Sequence, residues 1–235
     1  MDTEAQHRER DRSSQPSENT STGEEDRSRS SLLSGVVAWL PGGRVTLTLL
    51  VCLALLLACS VFVMQPFQIP SGSMESTLRV GDRVLVNKLA YRFGAEPGRG
   101  DVVVFDGSGY FGDADYVKRV VGTGGDRVVC CDSRGRIEVN GQSVDERAVL
   151  HAGDAPSEVP FDIEVPDGTL FLLGDHRSDS RDSRDYLGAP GGGFVPVDQV
   201  IGKAQWIAWP AGHWHSLSRT DVYARVPAPA GGVHG

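Results

Sequence analysis

Two hydroxyls flank a bend at Pro70-Ser71-Gly72-Ser73-Met74. Pro70 holds Ile69 extended, and Gly72 permits a sharp turn between Ser71 and Ser73. A serine becomes a useful nucleophile only when a base takes its proton. The usual bases are poorly placed. None of His7, His151, His176, His213, His215 and His234 stands in an i, i+4 zinc pattern with a Glu, and no serine lies in a Gly-x-Ser-x-Gly elbow. A different base is available. The chain has 20 Arg but only three Lys: Lys88, Lys118 and Lys203. Lys118 lies within Tyr116-Val117-Lys118-Arg119-Val120-Val121, where strand alternation puts Tyr116, Lys118 and Val120 on one face. An amine on a largely apolar face is desolvated and its pKa falls. The neutral form can then act as general base toward a serine. Moving it from about 10.4 to about 7 costs about 4–5 kcal/mol, a cost acceptable only where function requires it. Lys88 can snorkel from a strand end, and Lys203 follows Gly202 at a strand start as a surface or structural residue. On these residues alone the Ser-rich bend is equally a plain loop, and Lys118 is the best of three lysines.

The elements that must position these groups are strands. Asp82–Asn87, Asp101–Phe105, Tyr116–Val121, Asp126–Cys131, Arg136–Val139, Thr169–Leu173 and Ile201–Ala208 are Val/Ile/Leu-rich runs bounded by Gly, Asp or Pro. Asn140-Gly141 is a hairpin turn signal. Gly107-Ser108-Gly109-Tyr110-Phe111-Gly112 fits the dinucleotide-binding spacing, but it leads into another strand and reads as a Gly-rich turn. Cys130 and Cys131 are adjacent; a bond between neighbours is strained, so they read as small strand residues. No zinc spacing is present. Trp206, Trp209 and Trp214 cluster late, either as core packing or at a lipid headgroup level.

Composition divides the 235 residues into zones. The chain carries 23 Lys plus Arg against 31 Asp plus Glu, a net charge of -8, which disfavours nucleic-acid binding. Residues 1–44 are rich in Ser, Thr and Glu and too poor in apolar side chains to offset ordering entropy. Residues 45–64 are uncharged, mostly Leu, Val and Ala, and about 20 such residues span a bilayer core as a helix. The long polar leader argues against a cleaved secretory signal, and a lipidated Cys59 is a weaker alternative. Arg27, Arg29 and Arg44 precede the segment, whereas Arg79 is the first basic residue after it, which places the N-terminus inside. Ser73, nine residues beyond Met64, can lie at most about 30 Å from the membrane exit.

Four ordered stretches resemble bacterial type I signal peptidases, the membrane-bound Ser/Lys proteases of secretion. They are Phe67-Gln68-Ile69-Pro70-Ser71-Gly72-Ser73-Met74 with Thr77-Leu78, Gly81–Lys88, Tyr116–Gly122 with Gly125-Asp126, and Gly174–Arg184. The match runs from about residue 45 to 209. Ser76 stands where the family usually has Pro, and His176, Ser178 and Asp179 where many members have Asn, Asp and Asn.

The resemblance implies a mainly β fold: a coiled antiparallel sheet of signal-peptidase/LexA-like type, preceded by one transmembrane helix. It implies a cytoplasmic tail at 1–44, a catalytic core at 65–126 and 169–225, a small β insertion at 127–168 and a flexible end at 226–235. Ser73 would be the nucleophile and Lys118 the general base. Ser71 and the Ser73 N–H would bind the oxyanion, and Ser180 would orient the lysine. Asp182 and Arg184 would form a supporting pair. Phe67, Ile69, Met74, Leu78, Tyr116 and Val117 would wall the substrate pockets. The substrates would be secretory preproteins with small residues at -1 and -3, cut at the outer face of a bacterial plasma membrane near the translocon, with no cofactor, metal or nucleic acid. A self-cleaving repressor with the same dyad would need a DNA-binding module, which residues 1–44 lack. A non-catalytic membrane scaffold is the alternative from another class.

Overall fold

The computed structural model describes residues 43–229, with the side chains of Cys59, Val61 and Phe62 excepted. The expected tail up to residue 42 and the end at 230–235 lie outside the described residues. The chain divides into two compact units at Leu56/Leu57.

Helix α1, Arg44–Val63, is the uncharged segment of the sequence, begun one residue early by Arg44. Among the described residues no helix is long and apolar enough to cross a membrane. Met64 already belongs to strand β1 (Met64–Gln68), which pairs antiparallel with β2 (Arg83–Asn87).

The second unit is built on an eight-stranded sheet. Besides β1 and β2 it holds β3 (Val102–Asp106), β4 (Asp115–Thr123), β9 (Thr169–Leu173), β10 (Val195–Pro196), β11 (Val200–Trp209) and β12 (His215–Ser216). Its order is β1-β2-β11-β3-β4-β9-β10, with β12 pairing β11. The pairings are antiparallel, with register shifts in β11 and between Val120 and Gly122 of β4. Such bulges increase local twist and bend the sheet. Most of β3, β4 and β9 is buried, which explains their near-continuous apolar runs.

A four-stranded sheet of β5 (Arg127–Cys130), β6 (Glu138–Val139), β7 (Gln142–Ser143) and β8 (Phe161–Glu164) has the order β7-β6-β5-β8. Asn140 and Gly141 both have positive φ (50° and 78°) and close the β6–β7 hairpin, the backbone that Asn-Gly favours. This sheet shares a core with the larger one: Val128, Ile137, Val139 and Phe161 pack with Val121, Phe171 and Leu173. The short strands β7, β8, β10 and β12 carry too few alternating residues to announce themselves. β1 was hidden because Met64 and its neighbours extend the apolar segment.

Three expectations change here. Cys130 and Cys131 are joined by a disulfide, where the strand reading left them as free small residues. Residues 226–229 are held in place, with Pro227 O accepting from Arg99 (3.3 Å) and Asn140 Nδ2 (3.0 Å). The late tryptophans do not pack into the core: Trp206, Trp209 and Trp214 are 44%, 60% and 68% exposed. Gly107–Gly112 is a turn between β3 and β4, its bend closed by N–H groups of Tyr110, Phe111 and Gly112 on Gly107 O.

Candidate active site

Lys118 stands in the middle of β4, opposite Val103 of β3. It is 2% exposed. β4 also pairs with β9 from Arg119 onward, so β9 ends at Leu173 beside the lysine. The loop that follows, beginning at Gly174, therefore starts next to the amine. On the other side, β1 delivers the chain to the turn Gly72–Met74. Sheet curvature thus brings three separated segments together.

The Lys118 Nζ lies 2.9 Å from Ser73 Oγ and 2.9 Å from Ser180 Oγ. Among the described residues no carboxylate is bonded to it, although several are near. Burial lowers its pKa from 10.5 to about 8; Asp182 opposes that fall and Arg184 assists it. At about 1.36 kcal/mol per unit, the shift corresponds to about 3 kcal/mol of folding stability.

The nearby carboxylates have other partners. Asp182 is fully buried and takes two bonds from Arg184, Nε to Oδ1 at 2.8 Å and an Nη to Oδ2 at 2.8 Å. Asp182 also accepts from the Gly174 N–H at 3.0 Å and caps the turn Ser183–Tyr186. Asp175 takes a bidentate pair from Arg119 at 2.8 and 2.6 Å and the Thr77 hydroxyl at 2.5 Å. Arg119 is the chain neighbour of Lys118, so strand alternation turns it to the opposite face.

The nucleophile segment is tied to this loop through backbone. The His176 N–H donates to Ser73 O at 3.1 Å. Gly174 sits where a Cβ would come within 2.5 Å of both Ser180 Cβ and Ser73 O; only glycine allows that approach. A deeper support lies behind the loop. Arg177 pairs with Glu146 at 2.7 and 3.0 Å, and Tyr223 donates to Glu146 Oε1 at 2.6 Å. Burial pushes the Glu146 carboxyl up, but Arg177 more than reverses this and holds it below its usual range.

A cleft of about 380 Å³ opens over Ser73 and Lys118. Phe67, Ile69, Met74, Tyr116 and Val117 line it, together with Ser71, Pro70 and Val104. Leu78 does not: it is fully buried in the core beneath, packed with Ile69 and Met74. Helical pairing of its N–H to Met74 O turns it inward at 2.8 Å. Ser71 is exposed, its Oγ 3.4 Å from Ser73 Oγ. A larger surface hollow of about 890 Å³ beside Lys88 and Tyr91 contains no such hydroxyl–amine pair. Lys203 is structural, its Nζ 2.6 Å from Asp101.

The roles of Asp175, Arg119, Thr77, Glu146 and Arg177 were not read from sequence. The Gly174–Arg184 segment mixes Arg and Asp throughout and looks like a solvated loop. Asp175 finds its arginine 56 residues away and Arg177 its carboxylate 31 residues away, which no local spacing reveals.

Comparison with known proteins places the chain among its relatives. The family described as "Signal peptidase, peptidase S26" matches residues 43–209. A "Probable signal peptidase I-2" of Synechocystis is 35% identical over 178 residues, 73% of this chain and 74% of that one. A "Signal peptidase I" of Pseudomonas fluorescens is 37% identical over 218 residues, 74% of each chain. A signal peptidase I structure from Enterococcus faecalis V583 shares 26% identity over 46% of this chain and 96% of that chain. Its TM-score of 0.37 is too low to carry an argument about fold.

A buried amine with a depressed pKa leaves a signature in stability. Between pH 8 and 10.5 the unfolded chain holds a proton on Lys118 that the native state has lost, so stability rises with pH across that window. Below pH 8 the native state carries a buried ammonium and the full deficit, about 3 kcal/mol, is present. Melting of the wild type and of Lys118→Met between pH 7 and 10 should show a wild-type gain of that order that the variant lacks. Parallel pH profiles would contradict the depressed amine.

Proposed function

The chain belongs to the signal peptidase family, peptidase S26, and from that premise we propose that it is a membrane-anchored serine endopeptidase that removes N-terminal signal peptides from secreted preproteins. The carrying observation is the Lys118 amine, 2.9 Å from both Ser73 Oγ and Ser180 Oγ and free of any bonded carboxylate.

The chemistry follows from these positions. Neutral Lys118 accepts the Ser73 proton as Oγ attacks the scissile carbonyl. Ser180 holds the amine so that its lone pair faces Ser73. The developing oxyanion meets the Ser73 backbone N–H and the Ser71 hydroxyl, donors of a kind that contribute about 3–4 kcal/mol. The Lys118 ammonium then protonates the departing amine, leaving an acyl-Ser73. The same amine, neutral again, activates water to release the acid. Asp182 and Arg184 act through the loop that carries Ser180 and do not exchange protons.

Substrate selection rests on the cleft. Its walls of Phe67, Ile69, Met74, Tyr116 and Val117 are apolar and shallow beside Ser73, a shape that admits Ala at -1 and -3 and excludes bulk. The Asp115–Lys118 stretch of β4 pairs only on its β3 side, so its other backbone edge is open to an extended peptide. Strand addition would deliver backbone hydrogen bonds without selecting sequence.

Anchoring rests on the composition of residues 45–64, which are uncharged and mostly Leu, Val and Ala, the kind and number of residues that a bilayer-spanning segment needs. Apolar side chains of this segment face outward: Val45, Leu49 and Leu55 are more than 60% exposed. The upstream arginines favour an N-terminus in the cytoplasm and a catalytic unit outside a bacterial plasma membrane. Exposed Trp206, Trp209 and Trp214 suit the headgroup layer, where preproteins emerging from the translocon are also held.

The test is cleavage of a peptide bearing Ala at -1 and -3 by the full chain in detergent. Ser73→Ala and Lys118→Ala should each abolish turnover while the protein stays folded. Lys118→Arg should fail too, because a guanidinium does not give up its proton; full activity in either lysine variant would exclude the dyad.

Ser71→Ala should lower turnover by about 10–1,000-fold with little change in KM. An unchanged kcat would remove Ser71 from oxyanion binding.

The pH profile of kcat/KM should rise with pH through about 8, as Lys118 loses its proton in the free enzyme. A flat profile from pH 6 to 9 would mean that another group is the base.

A further inference from the structure

A second cluster of chemistry-bearing side chains lies behind the nucleophile turn and takes no part in the proposed hydrolysis. Glu75, His151 and His176 come from three separated segments, and one potential ligand atom from each lies within 4.8 Å of the others. Backbone hydrogen bonds hold all three segments. The Glu75 N–H donates to Gly72 O at 2.9 Å, the His151 N–H to Asp175 O at 2.9 Å, and the His176 N–H to Ser73 O at 3.1 Å. The cluster is therefore a fixed feature of the fold and not a chance meeting of loose side chains.

The two imidazoles are stacked, with ring centroids 3.8 Å apart and planes inclined by 21°. The Nδ1 atoms of both are buried without a hydrogen-bond partner. The Asp154 carboxylate lies 4.0 Å from His151 Nδ1, beyond hydrogen-bond reach, and accepts from the Ser178 hydroxyl at 2.9 Å. Among the described residues only one other buried side-chain atom, Gln199 Oε1, lacks a partner. An unpartnered buried polar atom carries the full penalty of its lost hydration. Two such atoms belong to adjoining rings of a cluster that also includes a carboxylate, and a metal ion is one partner that such imidazoles accept.

We propose that Glu75, His151 and His176 bind a divalent transition-metal ion, with Zn²⁺ the cation whose chemistry fits. Two imidazoles and one carboxylate are a borderline donor set, which zinc accepts with a water in the fourth position. Calcium and magnesium take oxygen donors almost alone. Zinc bonds of about 2.0–2.2 Å require the ligand atoms to draw together by about 1 Å and the rings to splay from their stack. The bound ion would tie the segment after Ser73 to the segment that leads to Ser180. Its role is a brace, and no step of peptide hydrolysis passes through it. The sequence gives no sign of it, since the ligands share no short spacing.

The experiment uses the full chain in detergent, stripped with a chelator and titrated with Co²⁺ as spectroscopic probe. One equivalent should produce the visible bands of a tetrahedral nitrogen–oxygen site, and Zn²⁺ should displace it. Zn²⁺ should also raise the melting temperature. His151→Ala and His176→Asn should each weaken Co²⁺ binding at least 10-fold, and the double variant should lose the tetrahedral spectrum. The double variant should keep the wild-type far-UV circular dichroism and a cooperative melt in chelator, which verifies its fold. His213→Asn with His215→Asn should bind as the wild type does. Absence of a stoichiometric Co²⁺ spectrum would overturn the proposal, as would a spectrum unchanged in the His151/His176 double variant. Neither outcome depends on the peptidase reading.

Discussion

One amine is kept from carrying its ordinary charge, and much of the second unit is arranged around that constraint. Lys118 is almost wholly buried and touches two hydroxyls. A carboxylate in direct contact would restore its charge and abolish its basicity at neutral pH. The chain nevertheless needs carboxylates nearby, because Asp182 and Asp175 hold the loop that delivers Ser180. Each is therefore matched by an arginine, Arg184 and Arg119 respectively. The arginines offset much of the negative charge near the lysine, so burial outweighs the pull of Asp182 on its proton.

The fold meets this constraint through strand order. β4 pairs with β3 through Lys118 and with β9 from Arg119 onward, so Lys118 is held at the point where the second pairing begins, and strand alternation sends Arg119 to the opposite face. The end of β9 falls where the amine lies, and Gly174 lets the Ser180 loop approach the Ser73 carbonyl. A charged side chain on a loop would be too mobile for this task; an amine on a central strand gives up its freedom once, on folding. The cost appears as lost stability below the amine's pKa, a common trade at sites that need a perturbed base.

The smaller sheet has a structural bearing on the same site. It shares its core with β4 and β9, and the connection between its strands β7 and β8 supplies Glu146 to the buried Arg177. Tyr223, near the end of the described chain, donates to the same carboxylate. Segments distant in sequence therefore lock the base of the loop whose tip carries Ser180. The disulfide between Cys130 and Cys131 lies at the end of β5 in this sheet.

Much of the organisation is legible without coordinates. The apolar segment, the main strands and the Asn140-Gly141 hairpin follow from local periodicity and turn chemistry, which depend on residues a few positions apart. Ser73 and Lys118 were singled out less by the bend and the apolar strand themselves than by the ordered motifs that the chain shares with a family. Leu78 shows the limit: its place in a motif beside the nucleophile could not tell a cleft wall from the core beneath it. The arginine partner of Asp175, the Glu146–Arg177 pair and the close approach of Gly174 to the Ser73 carbonyl were decided only by tertiary structure. Each joins residues tens of positions apart. Local sequence determines which residues can form a strand or a turn; which buried charge meets which is set by the register of the whole sheet.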